Sequence, residues 1–382
     1  MAAIAAGEAS FWQILFTKTS PTSYADVMAS DVAAARTLDL ASLKEELYVL
    51  PNVRRFVSAV HTSDDLEDTV RALDNACRTT NTQPVIRRQE IAMTTVAESN
   101  VGFIDCWNTI LVPKWNRFRH LLSGNGEIHS NIAYKDFDIQ KGDRVVDVGC
   151  GYGETCLEIG RMVGSDGEVL GLDCTEAFLE IANKERDAAG LSQVRFEIGD
   201  VQEYSLPENY YDVAFSRFGV MFFQFPVVAL KNVCRGLKPG GKVCLIVWRS
   251  IDDNPCWNGA KQIALKHLPP PGEDAATCGP GPFSWAGEET DRAMLKAAGF
   301  PEIELFKRID ADVCMGTNLE EAIDFQILVG PSGEIIREAG DEGQEKLPTI
   351  RQEMKDFLGQ YLRDDGVYLP SSTWAIMARK PK

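Results

Sequence analysis

The chain has 382 residues, with 39 basic and 56 acidic side chains and a net charge of −17. At roughly 100–200 residues per domain this predicts two or three structural units, and 45% hydrophobic with 25% charged residues is ordinary globular composition, which excludes disorder and fibrous repeats. Lys and Arg are too few for the basic footprint of a nucleic-acid binder, and the acid gathers in residues 310–366, where 14 Asp/Glu face 5 Lys/Arg and repel phosphate and anionic lipid surfaces.

Met1 to Phe16 carries Glu8 and no basic run ahead of its apolar residues, which argues against a secretory leader. The apolar runs, such as Val243–Trp248, are strand-sized, so no membrane-spanning helix and no membrane partner are expected. Ten cysteines, at 77, 106, 150, 156, 174, 234, 244, 256, 278 and 314, contain no Cys-x-x-Cys pair, and the four histidines are scattered. That pattern predicts no metal site, and reduced thiols packed as small hydrophobes in a cytoplasmic protein.

Along the chain, Phe11–Thr17 reads as a strand, Tyr24–Glu46 as a long helix and Arg55–His61 as a second strand. A closing helix starts at Ser63, with Leu66, Val70, Leu73 and Cys77 on one face, capped by Thr62 or Ser63 and with Asp64, Asp65 and Glu67 at its positive end. This small α/β module, residues 1–80, gives way to a linker at 81–93, where the polar run Thr79–Gln83 meets Pro84. The segment Phe11-Trp-Gln-Ile-Leu-Phe-Thr17, with Tyr24, Tyr48-Val-Leu-Pro51 and the run from Arg55 to Thr69, resembles the C-terminal end of class III aminotransferases, nearest to the glutamate-1-semialdehyde aminomutases. The larger domain of that family, with its Schiff-base lysine, has no counterpart here. The resemblance therefore implies a retained module without pyridoxal phosphate, serving packing, homodimerisation or cover for an active site.

Residues 94–382 form the second expected domain. Residues 94–124 read as helical and contain Trp107 and Trp115. From Gly142 strands and helices alternate regularly, the pattern of a parallel sheet with crossover helices. Its most informative stretch is Arg144-Val-Val-Asp-Val-Gly-Cys-Gly-Tyr-Gly-Glu154: a buried strand, a turn with Gly149, Gly151 and Gly153, and the start of a helix. Glycines allow backbone to approach a ligand, and a new helix offers free N–H groups. The next strand, Glu168–Asp173, ends in an acid twenty residues after Gly153, at the place where a carboxylate holds the ribose hydroxyls of an adenosine.

Two cofactor classes use that arrangement. Dinucleotide sites favour a further glycine at 154, where this chain has Glu154, a carboxylate that would oppose a pyrophosphate. S-adenosylmethionine carries no phosphate, and its cationic methionine portion suits Asp147, so the electrostatics favour that cofactor.

Val194-Arg-Phe-Glu-Ile-Gly-Asp-Val-Gln202, Tyr211–Phe223 and Leu237-Lys-Pro-Gly-Gly-Lys–Trp248 supply the third, fourth and fifth strands. With the run Ser216-Arg-Phe-Gly-Val-Met-Phe-Phe223, this succession resembles the class I S-adenosylmethionine-dependent methyltransferases over residues 100–382. Within them it is most similar to the small-molecule group related to ubiquinone and menaquinone biosynthesis. The resemblance implies a Rossmann-like seven-stranded sheet with helices on both faces, an antiparallel last strand at Thr373–Arg379, and a helical insert at about 316–363. It places Asp147, Gly149, Gly151 and Gly153 along the methionine portion of the cofactor, Asp173 on the ribose, and Cys174, Asp200 and Val201 at the adenine. Ser216 and Arg217 fall beside the methyl group, as candidate catalytic residues that position the acceptor.

Acceptor candidates are Trp107 and Trp115, with Asn108 and Arg117; Trp248, Arg249 and Trp257; and Trp285. In the insert, Leu347, Ile350, Met354, Phe357, Leu358 and Tyr361 mark an apolar stripe that reads as core packing. Methyl transfer from a sulfonium is an in-line displacement that needs alignment more than acid–base help. His120 and His129 read as structural or exposed rather than as bases, and Arg217 either pins an acceptor anion or pairs with a neighbouring acid. Cys156 stands where arsenite methyltransferases carry a cysteine, a minor alternative because no partner thiol is in register. A further alternative is a regulatory or structural protein that keeps the cofactor pocket without catalysis. The expected product is S-adenosylhomocysteine, and the acid surplus leans toward a neutral or cationic small acceptor.

Overall fold

The computed structural model describes residues 100, 103–271 and 280–382, together with the backbone of four short strands nearer the N-terminus. The chain divides into two compact units, Met1–Val101 with Arg292–Ala298, and Gly102–Asp291 with Gly299–Lys382.

The first unit contains β1 (Ala2–Ala6), β2 (Phe11–Phe16), β3 (Arg55–Phe56) and β4 (Gln83–Val85), in the spatial order β3-β2-β1-β4. β2 matches the strand expected from Phe11, and β3 opens the one expected from Arg55. Two assignments change. Ala2–Ala6, to which the sequence reading gives no element, is a strand, and Gln83–Val85, read as linker, pairs parallel with β1. Pro84 cannot donate to a ladder, but β4 lies at the sheet edge, where that loss is tolerated. The helices expected at 24–46 and from residue 63, and most of the aminotransferase-like motif, lie outside the described residues.

The second unit is built on five parallel strands: β5 (Arg144–Val148), β6 (Glu168–Asp173), β7 (Val194–Ile198), β8 (Tyr211–Arg217) and β9 (Leu237–Trp248). They are followed by β10 (Glu302–Gly316), the two-residue β11 (Leu362–Arg363) and β12 (Gly366–Arg379). The order β10-β12-β9-β8-β5-β6-β7, with β11 paired to β12, gives the seven expected strands and one short addition. β12 is antiparallel to β9, with Thr373 opposite Trp248 and Arg379 opposite Lys242, and it begins earlier than expected, at Gly366. The sequence reading assigns no strand to β10. Its charged residues, among them Glu302, Glu304, Lys307, Arg308, Asp310 and Asp312, hide the apolar alternation, and they sit on an edge strand, where charge discourages pairing with another chain.

Helices α1 (Val112–Arg117) and α2 (Arg119–Phe137) precede the sheet. Crossovers are made by α3 (Glu154–Val163), α4 (Glu176–Ala189) and α5 (Pro226–Gly236), and α6 (Pro255–His267) follows β9. The insert expected at about 316–363 is helical: α7 (Leu319–Leu328), α8 (Pro331–Glu338) and α9 (Gly340–Gly359).

One apolar core lies around the parallel strands, with Val145, Ile159, Val169, Val213, Phe215 and Ile246 buried in it. A second forms where α6 to α9 cover the far halves of β10 and β12, through Trp257, Val313, Phe325, Ile350, Met354 and Leu369. The stripe on α9 packs there as expected: Ile350, Met354 and Leu358 are fully buried, and Leu347, Phe357 and Tyr361 partly so. Among the described residues no helix is long and apolar enough to cross a membrane. The chain runs outward from β5 through β6 to β7, then returns to place β8 on the other side of β5. In open α/β sheets ligands bind in the crevice at such a reversal, above the carboxyl ends of the strands, which here are those of β5 and β8.

Candidate active site

β5 ends in a loop that turns through three left-handed glycines, Gly149 (φ 71°), Gly151 (φ 53°) and Gly153 (φ 75°). They serve different ends. A side chain at 149 would lie 2.9 Å from the Gly219 Cα, and one at 153 would lie 2.5 Å from the Phe196 ring. One at 151 would meet nothing within 4 Å, so this is the glycine that brings bare backbone to open space. Gly153 is also the N-cap of α3 and supplies no side-chain cap to its first N–H groups.

Asp173, at the end of β6, reaches back to this loop. Its Oδ2 accepts the Gly151 N–H at 2.8 Å and its Oδ1 the Thr175 N–H at 2.9 Å. Burial raises its carboxyl above the usual carboxylate value, and the two N–H groups oppose that rise. Each oxygen keeps a lone pair for a ribose hydroxyl. Cys174 beside it is half-buried, its thiol pushed up to about 12 by burial and by the Asp173 charge.

Asp147 is turned away from the place the sequence suggested. The carboxylate is fully buried, and its Oδ2 accepts from the Thr155 hydroxyl and, at 3.2 Å, from the Cys156 thiol. It therefore pins the first turn of α3 to β5, while Oδ1 has no hydrogen-bond partner among the described residues. Burial lifts the group to about 6. Beyond β7, the Asp200 carboxylate accepts from the Gln202 backbone N–H at 2.9 Å and from its side-chain amide, a local turn cap. Val201 is buried, and its carbonyl accepts the Asn232 amide at 2.6 Å.

At the end of β8 the two acceptor-positioning candidates both have partners inside the protein. Ser216 is fully buried and donates to the Val148 carbonyl at 2.7 Å, tying β8 to β5. The Arg217 side chain is 8% exposed and spans Ser130 Oγ at 2.8 Å, Glu154 at 3.4 Å and Glu158 at 3.7 Å. Gly126 on α2 makes room for it, since a Cβ there would lie 2.9 Å from the guanidinium carbon. Both side chains are committed to the interior. Spacing placed them at the right strand end, but it cannot say which way a side chain points.

Aromatic rings line the same end of the sheet in two groups. In one, Phe218 stacks on Trp248, with centroids 4.6 Å apart and planes 12° from parallel, and His129 of α2 meets both rings edge-on. Phe218 has φ 59°, uncommon for a bulky residue and a mark of sites where surrounding structure holds strain. In the other, Trp107 packs edge-on against Trp115 and against Phe222 of the β8 loop. Tyr152 of the glycine loop packs on Phe178, under the Arg119 guanidinium and with its hydroxyl on Asn116. Trp107 lies in a π-helical turn, Trp107–Leu111, a local distortion frequent at functional sites.

The remaining candidates all have partners within the protein. Arg249 bonds Ser372 and Asp253 and lies over Trp374. Trp257 packs on Trp248 and Phe325, and Trp285 is 1% exposed. Asn108 bonds the Ile104 carbonyl and Arg117 pairs with Asp324. His120 is exposed and pairs with Glu321. Tyr152, Phe178 and Phe222 were missed because nothing in the sequence distinguishes them from other core aromatics. Among the described residues no group of three or more His, Cys, Asp or Glu side chains could hold a metal ion. Seven described cysteines are free, whereas Cys106 is disulfide-bonded, a departure from the reduced state expected there.

A family described as a methyltransferase domain matches residues 139–280, from the start of β5 to beyond α6. A demethylmenaquinone methyltransferase from Staphylococcus aureus strain MRSA252 is 34% identical over 134 residues, covering 35% of this chain and 55% of its own. Residues 139–280 are thus similar to a methyltransferase domain.

The chain thus spans about half the length of that relative. Another demethylmenaquinone methyltransferase, from strain JH9, is 28% identical over 202 residues, half of this chain and 82% of its own. A putative methyltransferase from Bacillus halodurans aligns over 66% of this chain and 98% of its own, with a TM-score of 0.46 and 16% identity. The matched residues contain the glycine loop, Asp173, Asp200 and the Phe218–Trp248 stack, whereas His129, Trp107 and the helical insert lie outside them.

Proposed function

We propose that the whole chain transfers a methyl group from S-adenosylmethionine to a small, largely apolar acceptor, leaving S-adenosylhomocysteine. The observation that carries this reading is the glycine loop, with Gly151 facing open space and its N–H held by the Asp173 carboxylate. These residues fit the cofactor. Asp173 would accept from the ribose hydroxyls, the loop backbone would run along the methionine portion, and Cys174, Asp200 and Val201 would border the adenine. When bound, S-adenosylmethionine supplies an electrophilic methyl on a cationic sulfur. The chain's own contribution is alignment and exclusion of water by the rings of Trp107, Phe222, Phe218 and Trp248. Those rings favour a planar acceptor, a class that includes the ring compound named for the S. aureus relatives. Ser216 and Arg217 then act as supports of the strand ends and of α3, not as groups that touch the acceptor.

The test is incubation of the full chain with S-adenosylmethionine labelled in the methyl group and a panel of phenols, quinols and amines. Label in a small extracted product supports the reading; absence of both label transfer and cofactor binding by calorimetry overturns it. The acidic residues of the insert support neutral or cationic over polyanionic acceptors. Glu320, Glu321 and Asp324 lie on α7, though each is paired with a base. The N-terminal module is read as a homodimer contact without pyridoxal phosphate, in a cytoplasmic protein. Sedimentation of the chain with and without residues 1–80 tests the first point, and absorbance after pyridoxal phosphate is added tests the second.

A further inference from the structure

His129 lies on α2, outside the matched methyltransferase residues, and is fully buried. Its two ring nitrogens meet two hydroxyls of β12: Nε2 is 3.1 Å from Ser371 Oγ, and Nδ1 is 3.1 Å from Thr373 Oγ1. These contacts decide the tautomer. Ser371 has one hydroxyl proton, and it donates that to the Ala311 carbonyl at 2.7 Å. Toward His129 it can therefore only accept, so Nε2 carries the hydrogen. Nδ1 is then the acceptor, and the buried Thr373 hydroxyl donates to it. In this arrangement all three groups are satisfied, and the opposite tautomer would leave the buried Thr373 hydroxyl proton without an acceptor among the described residues.

A ring so fixed cannot rotate, and it packs nearly perpendicular to both Phe218 and Trp248, at centroid distances of 6.1 and 5.7 Å. Phe218 is the half-buried member of that stack, and its left-handed backbone has to be held by its surroundings. Phe218 and Trp248 end adjacent parallel strands β8 and β9, beside the crevice above β5 and β8. We propose that His129 is a positioning residue: held as the Nε2–H tautomer by Ser371 and Thr373, it props the Phe218–Trp248 stack as a flat wall on which a planar, uncharged aromatic acceptor lies. The inference rests on the methyl-transfer reading and deepens it by naming the acceptor class. Its partners all lie in the second unit, so it needs nothing from the N-terminal module.

The acceptor's place is probed with 1-naphthol, a planar aromatic alcohol, titrated calorimetrically into the full chain saturated with S-adenosylhomocysteine. Wild type binds it. His129→Gln, which keeps a donor toward Ser371 but loses the ring edge, weakens 1-naphthol about tenfold while S-adenosylhomocysteine affinity stays within about twofold, the size of effect that edge-on aromatic pairs carry. Thr373→Val preserves shape and removes only the donor to Nδ1; it weakens 1-naphthol in the same direction and lowers the melting temperature by several degrees, the cost of one buried acceptor left without its donor, with S-adenosylhomocysteine affinity unchanged. Nitrogen-15 spectra of the histidine rings show His129 neutral with the proton on Nε2 in wild type. The proposal is overturned if wild type does not bind 1-naphthol, if both variants bind it as wild type does, if nucleoside affinity falls in parallel, or if the proton is found on Nδ1. Failure of the methyl-transfer reading looks different: wild type would then bind neither S-adenosylmethionine nor its product.

Discussion

Gly151 and Gly153 are two residues apart and both left-handed, yet replacing each by alanine should break different things. An alanine held at such φ costs about 1–2 kcal/mol at either site. At Gly153 the new methyl would also sit 2.5 Å from the Phe196 ring and 2.9 Å from the Ala182 Cβ. The ring has little freedom to move, because it also fills the place of a side chain at Gly171. Overpacking of that kind adds about 1–3 kcal/mol, so Gly153→Ala should lose about 2–5 kcal/mol in all. At about 2–4 °C per kcal/mol this lowers the melting temperature by roughly 4–20 °C. Gly151→Ala meets no atom within 4 Å and should cost only the backbone strain, a few degrees at most. Its methyl instead occupies the space that the cofactor is argued to fill, and S-adenosylhomocysteine binding should weaken at least about tenfold, a loss of 1.4 kcal/mol or more. Calorimetric melting and nucleoside titration on both variants give the comparison. Wild-type affinity in Gly151→Ala, or a melting temperature for Gly153→Ala no lower than that of Gly151→Ala, refutes this assignment of roles within the loop.

Three further outcomes are expected. Asp173→Ala removes the acceptor for the Gly151 N–H and for the ribose, and should weaken S-adenosylmethionine by about 10–100-fold; unaltered calorimetric binding sinks the ribose assignment. Arg217→Met removes the cation beside Glu154 and Glu158, of which Glu154 keeps Arg119 and Glu158 keeps the Tyr134 hydroxyl, and should destabilise the fold by about 1–3 kcal/mol in urea; a neutral result contradicts the buried-pair reading. His129 is held down to about 4, mainly by burial and then by the Arg217 charge, with Asp310 opposing. Its folded value lies below its unfolded value of about 6.5, so its stabilising contribution is whole above pH 6.5 and drains away as pH falls toward 4, by about 3 kcal/mol in all. Denaturation curves across that range should therefore flatten in His129→Gln, and an equally steep acid limb would show that another group titrates there.

The legible part of the chain was the part whose signal is local. Alternating strand and helix patterns, the three spaced glycines and an acid at the end of the next strand follow from backbone geometry and period alone. They led to β5 through β9 and to Asp173 at the end of β6, the resemblance to class I methyltransferases added the antiparallel β12, and the apolar spacing on α9 foretold which of its faces is buried. β10 escaped because an edge strand carries charge instead of clean alternation, and β4 because Pro84 reads as a break unless the edge that tolerates it is known. Side-chain direction and long-range partnership were settled only by the tertiary structure. Asp147, Ser216 and Arg217 lie at the expected strand ends but turn inward, because a buried polar group must find its partner wherever packing offers one: Thr155, the Val148 carbonyl, and Ser130 on α2. By the same physics His129, unremarkable in sequence, becomes the fixed contact between α2, β12 and the Phe218–Trp248 stack, since its partners Ser371 and Thr373 lie more than two hundred residues away along the chain.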